Sequence, residues 1–320
     1  MIFLRARLRK RLLLFLTLTT PLAGWCLEPS SGLLLAQKKE LALTFDDLPG
    51  LGPLGFWRPR EISNMALRTM ERHEVKAAGF VVEEKIDEDV SGYIVLQDWI
   101  SQGHTLGNQT YSDADLNELK TDDFLHHVAD GQKYIRRASI APRRVNFRYF
   151  RYPYLHQGNT ESKKKEVART LYNAGYEIAH ITVKTTDYLF NGLYVENEDN
   201  PVVIEQLRSL YLHHIASSLD YSERQSHAVF NRNIRHILWL HLGVATAIFL
   251  EDLLTMLENR GYQFISFQKA LADPAYQTEE TYVGPHGLSF IDRVAASRGL
   301  GFDPNEGELT VSDIESRLDR

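Results

Sequence analysis

The chain has a single cysteine, Cys26, in 320 residues. One thiol excludes an intramolecular disulfide framework. No apolar run reaches the ~20 residues that a membrane-spanning helix needs. No basic stripe lies outside the N-terminus, and the formal net charge is −6. That balance argues against nucleic acid as a partner. No G-x-S-x-G elbow, H-E-x-x-H pair, P-loop or G-x-G-x-x-G turn occurs, so the common serine-hydrolase, zinc-protease and nucleotide-binding plans find no support. Internal repeats and low-complexity blocks are also missing. What remains is ordinary globular material, 43% hydrophobic and 24% charged, enough for one large α/β domain or two small ones.

The N-terminus has the order of a secretory signal. Arg5, Arg7, Arg9, Lys10 and Arg11 precede an apolar core over residues 12–23, with small Ala23 and Gly24 at its end. Residues 1–26 read as a signal peptide and 27–39 as a linker. A membrane anchor is the weaker alternative, because Glu28–Pro29 interrupts the run. The stretch "LAGWC" resembles a lipoprotein box, but Trp25 is inserted before Cys26, so a lipid anchor is not expected. A secreted or periplasmic protein follows, with no stable span in the mature chain.

From residue 40 to about 270, strand-like and helix-like segments alternate about seven times. Strands are expected at 41–45, in "VKAAGFVVEE", "HTLGNQ", "RVNFRYFRYPY", "YEIAHITV", "IRHILWLHLG" and "YQFISF". Helices are expected around 61–73, in "YIVLQDWISQG", and over 122–138, 161–174, 201–219 and 248–260. Such alternation requires a parallel sheet, closed as a barrel or open and doubly wound. In both, chemistry gathers at the C-terminal ends of strands. Unusual polar residues do collect there: Asp46 and Asp47 after the first strand, Gln109 and Asp113 after the third, Arg151 after the fourth, Asp187 after the fifth, His241 after the sixth. Residues 273–320 read as a polar extension with one helix over 288–297.

Each of these residues has a plainer reading. Adjacent Asp46 and Asp47 suit a metal ligand and a base, or equally a helix N-cap. A His on an apolar strand is more often packed than catalytic, yet His241 sits at the strand end, where its near-neutral pKa suits a general acid. Arg151 at a strand mouth suits carboxylate pairing or the surface. Asp187 suits a partner for Arg151 or His241, or a turn. Gln109 and Asp113, in "GNQTYSDADLN", have the spacing of two ligands on one ion, or of a loop entering a helix.

Taken in order, these motifs resemble those of the polysaccharide deacetylase family of carbohydrate esterases. "TFDDLP" (44–49), "GNQTYSDADLN" (107–117), "FRYPY" (150–154), "TTDY" (185–188) and "LWLH" (238–241) stand where that family has its five motifs, and "GYQFISF" resembles its closing strand. The similarity covers about residues 40–272. It implies a distorted (β/α) barrel of about seven strands that hydrolyses acetyl groups of N-acetylated glycans with a divalent metal, usually zinc. Carried over, Asp47 would be a metal ligand, Asp46 the base and His241 the acid. Arg151 would hold Asp46, and Asp187 would tune His241. The backbone after Pro153 would help stabilise the oxyanion, with Tyr154 and His156 beside the substrate.

The departures are as informative. The second motif normally supplies two histidines to the metal; here Gln109 and Asp113 stand in their place. Oxygen donors suit harder ions such as Mn²⁺ or Mg²⁺ better than zinc, and Gln109 offers only a neutral carbonyl. Lys184 replaces a usual acidic residue, and Leu242–Gly243 replaces polar ones. His104 is no substitute ligand, being ~16 Å from Gln109 if the segment is extended. The expected function is a deacetylase acting on N-acetylated glycans with a degraded metal site; the alternative is a catalytically inactive carbohydrate-binding or regulatory pseudoenzyme on the same fold.

Overall fold

A computed structural model describes residues 38–140, 148–303 and 308–318. The expected signal peptide and all but the end of the linker lie outside the described residues. Among the described residues seven strands form one sheet: β1 (Lys39–Leu48), β2 (Ala78–Val81), β3 (Thr105–Asn108), β4 (Tyr149–Phe150), β5 (Glu177–Ile178), β6 (His236–His241) and β7 (Tyr262–Phe264). Their order is β5-β4-β3-β2-β1-β6, with β7 also on β1, and every pairing is parallel. Beyond β5 the chain reaches back to β6 through a bridge between Val183 and Leu238. The sheet is thus curled into a barrel-like wall, with helices outside it.

Burial on both faces explains the near-continuous apolar strands. On β1, Leu41, Leu43 and Phe45 pack outward into the cluster that the helices share. Ala42 belongs to an inner cluster with Ile237 and Trp239 of β6. Because side chains alternate, Thr44 and Asp46 follow Ala42 inward, and His241 follows Trp239. The register pairs Asp46 with His241 directly. Phe290, Ile291 and Val294, from beyond residue 272, join the inner cluster.

Several elements differ from expectation. The helix expected over 122–138 is two, Thr121–Asp130 and Lys133–Ile140. Gly131 lies between them, packed so tightly that a Cβ there would lie 2.4 Å from the Thr110 carbonyl carbon. The helix expected over 201–219 runs on to Phe230, 30 residues in all. The described part of the fourth strand is only two residues, and the fifth ends at Ile178. Asp187 therefore stands nine residues past β5, not at its end. Short helices at Glu84–Glu88, Leu189–Glu196, Phe267–Leu271 and Val311–Glu315 were not anticipated, since segments this brief carry little periodicity.

Candidate active site

A cavity of about 490 Å³ opens at the C-terminal ends of the strands, within the range of small-molecule sites. Asp47, Gln109, Asp113, Tyr154, His156 and His241 all line it. Neither Asp46 nor Asp47 caps a helix, since the next one starts at Pro59. Asp47, Asp113 and Tyr154 each have left-handed backbone, with φ of 68°, 55° and 56°. Such conformations cost side-chain-bearing residues ~1–3 kcal/mol each and gather at functional sites.

One half of the site is built from buried, charge-paired groups. Asp46 is 1% exposed. Its Oδ2 accepts a 2.7 Å hydrogen bond from Trp239 Nε1, and its Oδ1 lies 3.5 Å from Arg151 Nε. Arg151 also donates to Thr44 Oγ1 at 3.1 Å and lies over the Phe80 ring. Burial pushes the Asp46 carboxyl upward, opposed by Arg151, His241 and Trp239. Beside it, His241 Nδ1 is 2.7 Å from Asp187 Oδ1, and its backbone N–H donates to Asp187 Oδ2 at 2.8 Å. Thr185 and Thr246 hydroxyls also donate to Asp187. Burial alone would pull the imidazole pKa down. Asp187, with Asp47 and Asp46, outweighs it and raises the pKa to about 9. His241 is therefore a cation at neutral pH, the form a general acid needs. Of the two partners considered for Asp187, the structure brings it to His241.

The other half is a polar chain. Gln109 Oε1 accepts the Asp47 backbone N–H at 3.1 Å. Gln109 Nε2 donates to Asp113 Oδ1, also at 3.1 Å. Lys85 Nζ lies 3.0 Å from Asp47 Oδ1. Asp113 also accepts a hydrogen bond from Tyr154. Burial, then the neighbouring Asp47 charge, lifts the Asp113 carboxyl to about 6.

This donor set does not fit the zinc that the fold family implies. Structural and catalytic zinc is held by three or four strong N, S or carboxylate ligands. Here the Gln109 oxygen is committed to a backbone amide and one Asp47 oxygen to an ammonium. Among the described residues no group of three or more His, Cys, Asp or Glu is placed to hold a metal. His104 stays at the far end of β3, where Nδ1 accepts from the Ala77 N–H.

The substrate-side residues divide. Tyr154 and His156 line the cavity, with His156 paired to Asp115 at 2.9 Å. Pro153 is buried and does not line the cavity. Three participants escaped the sequence reading. Trp239 had a signal, being two residues before His241 and so on the same face. Lys85 had one too, as the lone cation in "EEKIDED" just past β2. His286 had none. It reaches the cavity because the extension docks there, with Gly287 so close that a Cβ would lie 1.9 Å from the Tyr154 oxygen.

An inward acid–base site on a curled parallel sheet defines a class, and comparison with known proteins agrees. Residues 36–178 match the family model for polysaccharide deacetylase. That stretch resembles a polysaccharide deacetylase domain. It is 29% identical over 108 residues to a peptidoglycan-N-acetylglucosamine deacetylase of Bacillus cereus. That match covers 33% of this chain, and the chain spans about a third (35%) of that relative's length. A polysaccharide deacetylase structure from Bacillus cereus superposes with a TM-score of 0.50 at 17% identity, covering 72% of this chain and 92% of the other. A CE4 family pseudoenzyme from Bacillus anthracis gives 0.49 at 17% identity, covering 73% and 66%.

Proposed function

We propose that this protein is exported and receives an N-acetylated glycan, seating an acetamido group in the cavity between His241 and the Asp47–Gln109–Asp113 chain. Its main role on this reading is binding, with metal-assisted hydrolysis lost. One observation carries it: Gln109 is hydrogen-bonded on both sides, to Asp47 and to Asp113, in the place where the family has metal histidines. Without a Lewis acid, neither the carbonyl nor the attacking water is activated by the usual route.

The second reading is a slow hydrolase of the acetyl C–N amide bond, favoured by the retained Asp46–Arg151 and His241–Asp187 pairs. In that reaction Asp46 takes a proton from water as its oxygen attacks the acetamide carbon. His241 gives a proton to the sugar nitrogen as the C–N bond breaks, leaving acetate and a free amine. Arg151 holds Asp46, and Asp187 positions His241. Asp46 is nearly inaccessible and its Oδ2 is held by Trp239, which weighs against efficient base catalysis.

Acetate release from chito-oligosaccharides and peptidoglycan fragments separates the two. Binding without acetate release, with or without added Zn²⁺, Co²⁺ or Mn²⁺, is expected. Rapid, metal-stimulated release would overturn the binding reading. The basic and apolar N-terminus supports export. Cell fractionation checks it, with mature protein in the periplasm or medium as the expected result.

A further inference from the structure

Two carboxylates, Asp47 and Asp113, face one cavity with a carboxamide between them. In a metal site the ion would neutralise them. Here a protein ammonium is in position to offset one of the two charges. Lys85 belongs to the helix Glu84–Glu88, which follows β2 directly. Its ammonium is 3.0 Å from Asp47 Oδ1, and its side chain is 30% exposed, against 11% for Asp47. The lysine approaches Asp47 from the β2 side and leaves the cavity wall to Asp47, Gln109 and Asp113. Glu83, next to it, is turned away, with Oε1 accepting the N–H groups of Tyr134 and Ile135. Asp87 is likewise engaged, with Lys133 and Tyr134. The lysine is thus left to Asp47 in the midst of an acidic segment.

We infer that Lys85 takes over the charge role of the metal: a tethered ammonium on Asp47, with Gln109 bridging Asp47 to Asp113, keeps the cavity floor assembled with no divalent ion. This rests on the placement of Gln109 and Asp113 at the family's metal positions. It explains why losing both histidines does not leave two uncompensated carboxylates side by side, an arrangement that would otherwise be strongly unfavourable. It also means that restoring histidines is not sufficient to restore a good metal site, because any incoming cation must compete with Lys85 for Asp47.

The test is zinc titration by calorimetry, with elemental analysis, on the full chain and three variants. Wild type is expected to retain no stoichiometric zinc after dialysis. Gln109→His with Asp113→His should bind it. Adding Lys85→Ala to that pair should tighten zinc about fivefold, the upper end of the scale of one partly exposed ion pair. Lys85→Arg in the same background keeps the charge and should leave affinity within about twofold of the double variant. One zinc per wild-type chain, or no change on adding Lys85→Ala, would overturn the inference. Chitotriose titration of wild type in chelator is run alongside. If chitotriose fails to bind while the zinc series behaves as expected, the glycan reading falls and the role of Lys85 stands.

Discussion

The two halves of the cavity are built on different physical terms. The half around Asp46 and His241 holds charges deeply: Asp46, Arg151 and Asp187 are each no more than 1% exposed, with Arg151 3.5 Å from Asp46 and Asp187 2.7 Å from His241. The half around Asp47 and Asp113 is held by single neutral or partly exposed bonds. A buried pair is costly to break, because the surviving charge has no water to turn to. A chain of neutral hydrogen bonds tolerates exchange better, because losing one strands no charge. Sequence change therefore has more room around Gln109 and Asp113 than around Asp46 and Asp187.

That contrast is open to direct challenge. Arg151→Met strands the Asp46 carboxylate and should lower unfolding free energy by about 3–5 kcal/mol, measured by denaturant titration at neutral pH. Gln109→Ala, in the other half, should cost about 1 kcal/mol. Equal costs would erase the distinction.

Next in size is a pH effect from His241. Its folded pKa, about 9, lies above the ordinary 6.5. The folded state therefore holds a proton that the unfolded chain has released between those values. The stability it contributes is full below about pH 6.5 and is lost as pH rises to 9, on the order of 1–3 kcal/mol. His241→Gln should flatten the fall in melting temperature across that window. An unchanged slope would mean that the pair with Asp187 is not charged as described.

A smaller effect belongs to Asp113, whose carboxyl titrates near 6 rather than near 3.8. Being raised, it favours the folded state at low pH, and stability declines as pH rises from about 4 to 6. Asp113→Asn should remove that decline. Its persistence in the variant would assign it elsewhere. The smallest expected effect is His286→Ala, which should weaken chitotriose binding a few-fold, the scale of one solvent-accessible hydrogen bond. No change would confine the extension to a packing role.

Much of this was legible in the chain before any coordinates. Alternating patterns and strand-end polar residues led to a seven-stranded parallel sheet, because buried parallel strands must be apolar runs that stop at functional ends. Asp46 and His241 were placed together by the same logic. Less visible were groups brought in by tertiary packing alone. Lys85 reaches Asp47 only because β2 lies beside β1. His286 reaches the cavity only because Phe290 and Val294 anchor the extension inside the sheet. The need for glycine at 131 comes from close packing on Thr110, a neighbour in space and not in pattern.

The central claim is that the proton-transfer half persists while the metal half has become a metal-independent glycan contact. Calorimetric titration of chitotriose into the protein, once in chelator and once in zinc, tests it most directly. Equal affinity in both is the expected result. Binding that appears only with zinc would contradict the account.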